Sequence, residues 1–304
     1  MALTLIESSK LHRGDVVRSA VIEMFARQSD ILAALPFEDI PGGILKYEQE
    51  GTLPGVAFRG VGESYTESTG VVNPQSDATY IIGGDVDVDN YILATRGEDQ
   101  RAVQAQMKIK AIADAWAQKF IKGDSSSEAR EFDGLQTRLV GTQLLANGST
   151  SGGDALSLKK LDKAIDLVDN PTHLICNKAM RTNIKAYLRT LGSLNYTENA
   201  FGQKLLMYGE LPILCTQNGM TEALPFTEAN PGGGSAVGSS IYVCSFGMNR
   251  LQGIQNGQIT VRDLGEVSDK PVRRLRIEWY AGIALLHGRA AARLYGCTDA
   301  TAVA

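Results

Sequence analysis

Residues 95–123 read TRGEDQRAVQAQMKIKAIADAWAQKFIKG, and this stretch carries the strongest local pattern in the chain. Ile109, Ile112, Trp116 and Phe120 recur at spacings of three and four, with Ala113 and Ala117 beside them. A helix here presents one continuous apolar stripe. Thr95 and Glu98 stand at capping-box spacing and predict its start. Glu98 and Asp99 in the first turn, and Lys119 and Lys122 in the last, complement the helix dipole. Gly123 is expected to end the helix in the left-handed conformation. A helix this long needs a flat surface beneath it, and the rest of the chain must supply one.

Downstream, Ser125–Glu131 reads as a polar linker and Phe132–Leu145 as mixed apolar sequence. The loop NGSTSGGD at Asn147–Asp154 predicts a domain boundary. Residues 155–217 then alternate. Ser157 caps a helix with Leu158, Leu161, Ile165 and Val168 inward, stopped by Asn170-Pro171. His173–Asn177 reads as a buried strand. Lys178–Leu191 reads as a helix with Met180, Ile184, Tyr187 and Leu188 inward, stopped by Gly192. Leu205–Tyr208 and Leu211–Thr216 read as strands around Gly209, giving an α+β or small α/β layer. Asn218–Ser239 is a Gly- and Pro-rich loop. Strands follow at Ile241–Phe246, Ile259–Leu264 and Val272–Leu286, the last two flanking a turn at Gly265–Pro271. Long strands of this kind make the surface the helix requires. Arg289–Cys297 closes with one more apolar segment.

Upstream, residues 1–13 look extended, and Gly14 or Asp15 to Arg27 reads as a helix with Val17, Ala20, Val21, Met24 and Phe25 on one side. Ile31, Leu32 and Leu35 form a further apolar set before Pro36. Residues 44–93 are dense in glycine, with strand-like fragments at Ile44–Glu50, Val56–Arg59, Thr79–Ile82 and Val86–Leu93. Between them Val61–Asp77 is polar and turn-rich. A compact domain rarely carries so long a stretch with so little core. It reads as a two-stranded excursion, and an isolated hairpin is marginal in water, so it must lie on another surface.

The 304 residues allow one large domain or two ordinary ones. A net charge of −4 supplies no basic field for nonspecific nucleic-acid binding. The opening MALTLIESSKLHRGD shows no signal-peptide pattern, and the longest apolar run, near Tyr280–Leu286, is too short to cross a bilayer, so no membrane is expected as a partner. The scattered Cys176, Cys215, Cys244 and Cys297 read as buried small hydrophobes. Asp85, Asp87 and Asp89 alternate like the start of a calcium loop, but Asn90 and Arg96 replace its glycine and glutamate, so a strand with an acidic face is the main reading and a weak or intersubunit cation site the other. No pair of His12, His173 and His287 has metal-ligand spacing, and His173 reads as a core residue. Nucleophile-elbow, phosphate-loop and dinucleotide motifs are missing. No enzyme, metal or cofactor is expected. Arg273, Arg274 and Arg276 carry two readings: a solvated strand face, with Arg274 and Arg276 on one side, or an intersubunit salt-bridge cluster with partners such as Asp85 or Glu63.

The order of parts resembles the major capsid protein of tailed bacteriophages, the Hong Kong ninety-seven-like shell fold shared by encapsulin shells and the herpesvirus capsid floor. The residues that carry the resemblance are Glu131-Phe132-Asp133-Gly134-Leu135, the His173–Asn177 strand running into Lys178–Arg181, and Phe246-Gly247-Met248-Asn249-Arg250 to Gly253-Ile254. The resemblance implies an α+β fold with an N-terminal arm at 1–43 and an extended E-loop hairpin at 44–93. It implies a P-domain with a spine helix at 94–150, an axial A-domain at 151–252, P-domain strands and a P-loop at 253–290, and a return to the A-domain at 291–304.

It further implies a structural subunit that self-assembles into pentamers and hexamers of an icosahedral head, enclosing double-stranded DNA without sequence-specific contacts. The location implied is the virion, after assembly in the host cytoplasm. The partners it implies are a scaffolding protein and a portal protein, and it leaves room for a decoration protein. No long helical segment precedes the arm to act as a built-in scaffold, so a separate scaffolding protein is expected. Arg59, Glu63, Tyr65, Asp85, Arg273, Arg274 and Arg276 are the expected intersubunit contacts. Some family members weld the shell by a lysine–asparagine isopeptide bond. Here Lys46 is the only lysine from Leu11 to Met107 and Gly265–Pro271 holds no asparagine, so no crosslink is expected. The mild negative charge suits a shell along which a genome slides. The alternatives are an encapsulin-like compartment holding cargo and, from another class, a soluble α/β enzyme or ligand-binding protein.

Overall fold

Asp99–Lys122 is one unbroken helix of 24 residues, about 36 Å long. The computed structural model describes residues 29–96, 99–148, 153–199, 202, 204–216, 222–231, 233 and 237–303. The helix expected between residues 14 and 27, and the extended segment 1–13, lie outside them. The predicted stripe of Ile109, Ile112, Ala113, Trp116, Ala117 and Phe120 is buried throughout. At its centre the Trp116 ring lies 5.3 Å from that of Phe120, 5.7 Å from Phe37, 5.9 Å from Trp279 and 6.2 Å from Phe132. One side chain thereby joins the helix to the N-terminal segment, the main sheet and the loop after the helix. Burying a side chain of this size contributes about 2–3 kcal/mol.

Both ends of the long helix differ from expectation. Thr95 sits inside a separate short helix, Asn90–Arg96, and its hydroxyl donates to the Tyr91 carbonyl at 2.8 Å, so it caps nothing. The cap of that short helix is Asp89, which accepts from the Tyr91 N–H at 2.8 Å and cuts short the strand expected over Val86–Leu93. Gly123 is absent from the left-handed residues. It is needed for close approach: a Cβ there would stand 2.1 Å from the Phe132 carbonyl oxygen and 2.6 Å from that of Lys119. The facing Gly134 donates to the Gly123 carbonyl at 2.9 Å, locking the Phe132-Asp133-Gly134 turn onto the helix end.

The chain enters through the short helix Asp30–Ala34, with Ile31, Leu32 and Leu35 buried. Strands β1 (Phe37–Asp39), β2 (Ile44–Thr52) and β3 (Val71–Ala78) follow. β2 and β3 form a two-stranded antiparallel ribbon, with Ile44 opposite Ala78 and Thr52 opposite Val71. The strand expected at Val56–Arg59 does not form. Residues 53–70 are irregular, interrupted by Pro54, Gly55, Gly60 and Gly62. β3 falls where the sequence read as polar loop, because VVNPQSDA has no apolar alternation and its partner strand imposes the pairing. β4 (Tyr80–Asp89) does not belong to the ribbon: it pairs over ten positions with the long C-terminal strand introduced below.

After the long helix come a single turn at Leu135–Arg138 and β5 (Leu144–Ala146). The helices Leu158–Asp166 and Lys178–Thr190 flank β6 (His173–Cys176). Asn177 caps the second of these by accepting from the Met180 N–H at 2.6 Å, and Gly192, with φ 69°, ends it as expected. β7 (Asn195–Glu198), β8 (Lys204–Tyr208), β9 (Leu211–Cys215), β10 (Glu228–Ala229) and β11 (Val237–Cys244) continue the layer. The last strands are β12 (Leu251–Gln255), β13 (Thr260–Glu266), β14 (Val272–Leu285) and β15 (Ala291–Cys297).

Two sheets result. One runs β1-β12-β14-β13 with β4 also on β14. The other runs β5-β15-β11-β6-β9-β8-β7 with β10 on β11. Alternation along the second sheet separates two cores. Ile175, Leu214, Tyr242 and Cys244 join the cluster around the long helix. Leu174, Cys176, Ile213, Ile241 and Val243 pack under the helices Leu158–Asp166 and Lys178–Thr190 on the opposite face. All four cysteines are buried, and burial pushes the Cys297 thiol up to about 12.

Candidate functional site

The segment between β2 and β3 is the least buried part of the described chain. A turn at Gly60–Glu63 forms its tip, with the Glu63 N–H donating to the Gly60 carbonyl at 3.3 Å and Gly62 at φ 89°. The Glu63 carboxylate accepts from the Gly60 N–H at 2.8 Å. Arg59 donates to the Glu63 carbonyl at 3.0 Å and lies over the Tyr65 ring at 5.1 Å. Three of the predicted contact residues, Arg59, Glu63 and Tyr65, are thus brought together as one knot. Around it stand apolar side chains that no described residue covers: Val56 is 95% exposed, and Phe58 and Val61 are wholly exposed. Burying Val56, Phe58 and Val61 would be worth about 5–8 kcal/mol before ordering costs. The sequence reading noted sparse apolar residues here but missed Phe58 as the anchor; its signal was an aromatic between Gly55 and Gly60 with no periodic partner.

The base of the ribbon is fixed to the body by a network the sequence reading did not contain. Arg138 donates to both Asp77 carboxylate oxygens, at 2.7 and 3.1 Å, and also to the carbonyls of Asp133 and Ile283. The Tyr47 hydroxyl lies 3.0 Å from Asp77 and 3.1 Å from the Leu285 carbonyl. Burial, and then Asp77 beside it, push the Tyr47 hydroxyl up to about 12. Asp77 and Arg138 are 61 residues apart and no periodicity links them.

The remaining predicted contacts lie elsewhere and find partners within their own chain. On β14, Arg274 forks onto Asp87 with both bonds at 2.7 Å, and Arg276 onto Asp85 at 2.7 and 2.9 Å. The register places Arg274 opposite Asp87 and Arg276 opposite Asp85, so the pairs form a ladder on one sheet face. Bonding to these arginines holds both carboxyls below the usual range. Within the chain, Asp85, Arg274 and Arg276 thus pair across the adjacent strands β4 and β14. Glu63, the other partner considered, bonds at the tip instead. Arg273 sits opposite Val88 and Glu266, and alternation gives it the other face.

Beside the long helix, a concavity of about 330 Å³ is lined by Tyr80, Ile81, Ile82, Ala115 and Phe132, with Lys119, Glu128, Arg130 and Glu131 at its polar side. His173, expected in the core, is half-buried at its edge: its ring stacks on Phe246 at 4.9 Å, and burial lowers it to about 4. Among the described residues no cluster of three or more His, Cys, Asp or Glu is arranged to hold a metal.

No family model and no curated protein matches the sequence. Solved structures do. A chain of an encapsulin complex from Synechococcus elongatus aligns with TM-score 0.67 at 16% identity, covering 90% of this chain and 89% of that one. The capsid of a native GTA particle aligns at 0.62 and 15% identity, covering 89% and 91%. A chain of Mycobacterium phage Bobi aligns at 0.63 and 13% identity, covering 88% and 90%. At these identities the likeness establishes the fold: this chain has the α+β shell fold shared by tailed-phage capsids and encapsulins.

Proposed function

We propose that this chain is a structural shell subunit, forming the icosahedral head of a tailed phage around double-stranded DNA. The observation that carries the reading is the hairpin. It is anchored at Asp77 and Arg138, yet among the described residues it presents Val56, Phe58 and Val61 uncovered. A second copy is the surface that completes it. The concavity beside the long helix is the matching seat: its exposed Ile81 suits Phe58, and its exposed Glu128 suits Arg59. Pentamers and hexamers joined this way close a shell, assembled in the host cytoplasm and ending in the virion. Scaffolding, portal and decoration proteins are its partners in this reading. Its role is structural, and it carries out no reaction.

The encapsulin-like compartment is the second reading, favoured by the TM-score of 0.67 to an encapsulin complex. Expression of the chain with its neighbouring genes, followed by electron microscopy, tests both. DNA-filled shells support the head. Small shells filled with a protein cargo move the assignment to a compartment. A chain that stays monomeric under all conditions contradicts both.

A further inference from the structure

The helix Lys178–Thr190 carries Arg181, Lys185 and Arg189 at successive four-residue steps. Residues so spaced share one helix face about 6 Å apart, and like charges at this spacing repel. Lys204 on β8 faces the same space, a groove of about 360 Å³ walled by Tyr196 and Leu206. Among the described residues none of these four cations has a carboxylate within ion-pair distance. Glu198 stands opposite Lys204 in the β7–β8 register without pairing to it. Lys185 lies 5.9 Å from the centre of the exposed Tyr196 ring. In a chain of net charge −4, four cations lining one groove with no carboxylate partner among the described residues are a local reversal of sign.

We propose that this groove binds the phosphate backbone of nucleic acid, independent of base sequence. The choice of nucleic acid rests on the shell reading; the groove does not. Three cations along about 12 Å match the three to four phosphates that one strand of a duplex presents over that length. Arginine, lysine and the Tyr196 hydroxyl are phosphate-contacting groups, and the lining supplies no set of donors and acceptors that would read a base edge. The net charge of −4 suits a shell along which a genome slides, and this groove would hold it locally.

The test measures binding of a short, fluorescently labelled DNA duplex to the full chain by anisotropy across a salt series. With three to four phosphate contacts, affinity should fall about 40- to 150-fold between about 50 and about 200 mM salt. The Arg181→Gln, Lys185→Gln, Arg189→Gln triple variant should flatten the log–log slope by about one unit per residue. A control triple, Lys159→Gln, Lys160→Gln and Lys163→Gln, removes equal charge from the neighbouring helix and should leave the slope nearly unchanged. Equal loss in both triples, or no salt-dependent binding by the unaltered chain, overturns the proposal. Particle formation is scored separately by light scattering. A groove variant that stops forming particles yet binds DNA normally makes the groove a contact between copies, which also overturns it. Failure of every chain to form particles contradicts the shell reading and leaves the binding result standing.

Discussion

Replacing Arg138 with Met removes the cation from the base of the hairpin and keeps most of the side-chain volume. Asp77 is then left with the Tyr47 hydroxyl as its donor, in a site where only 10% of the aspartate side chain is exposed. Breaking a buried pair from one side costs about 3–5 kcal/mol. Because Arg138 keeps 17% exposure and Tyr47 remains, the lower end, about 3 kcal/mol, is expected. In urea, with a slope near the upper end of the usual range for a chain of this size, that shifts the unfolding midpoint by about 1 M. The assay is urea unfolding of the unassembled chain for R138M, D77N and the double variant. Arg138 also donates to the Asp133 and Ile283 carbonyls, but that loss is common to both backgrounds and cancels in the cycle. The account predicts a coupling energy of about 2 kcal/mol or more between positions 77 and 138. A coupling under about 0.5 kcal/mol, with the single costs simply adding, refutes the claim that this pair anchors the hairpin.

Tyr47→Phe should flatten the alkaline limb of stability. The hydroxyl is raised to about 12, so its contribution is complete below the ordinary value near 10 and is lost as pH climbs toward 12; pH-dependent unfolding curves that match wild type in this window would contradict it. The reverse sign applies to Asp85 and Asp87, whose carboxyls are lowered. Their contribution is present above the ordinary carboxyl range and lost on acidification, so D85N combined with D87N should lessen acid destabilisation, most visibly at low salt. Gly123→Ala should cost about 2–3 kcal/mol in the same urea assay, because its Cβ meets the Phe132 carbonyl oxygen; a cost near zero would mean that the helix end and the 132–134 turn separate freely.

The stretch at 95–123 was legible because period 3.6 and burial coincide: every stripe residue from Ile109 to Phe120 is in the core. The helices at 158–166 and 178–190 were legible for the same reason, with Leu161, Met180 and Ile184 inward. What failed were features decided by distant chain. β3 exists because β2 pairs with it, although VVNPQSDA offers no alternation of its own. Gly123 looked like a helix stop, but its lack of a side chain is set by the Phe132 carbonyl packing against it. Among the contact residues, Arg59, Glu63 and Tyr65 do meet, whereas Asp85, Arg274 and Arg276 satisfy one another across β4 and β14. Sequence shows complementary charge but not whether the partner lies in the same chain. Phe58 was overlooked because an exposed anchor has no pattern to betray it.

The most direct test of the central claim is the sedimentation of the full chain beside a Phe58→Ser, Val61→Ser variant, both first shown to unfold at the same urea concentration. Two substitutions on an exposed tip should change monomer stability by no more than about 0.5 kcal/mol each. The account predicts that the unaltered chain sediments as closed particles or as rings of five and six, and that the variant sediments as small species. If both assemble equally well, the hairpin tip is not what joins one copy to the next. If neither assembles under any condition, the reading of this chain as a shell subunit is contradicted.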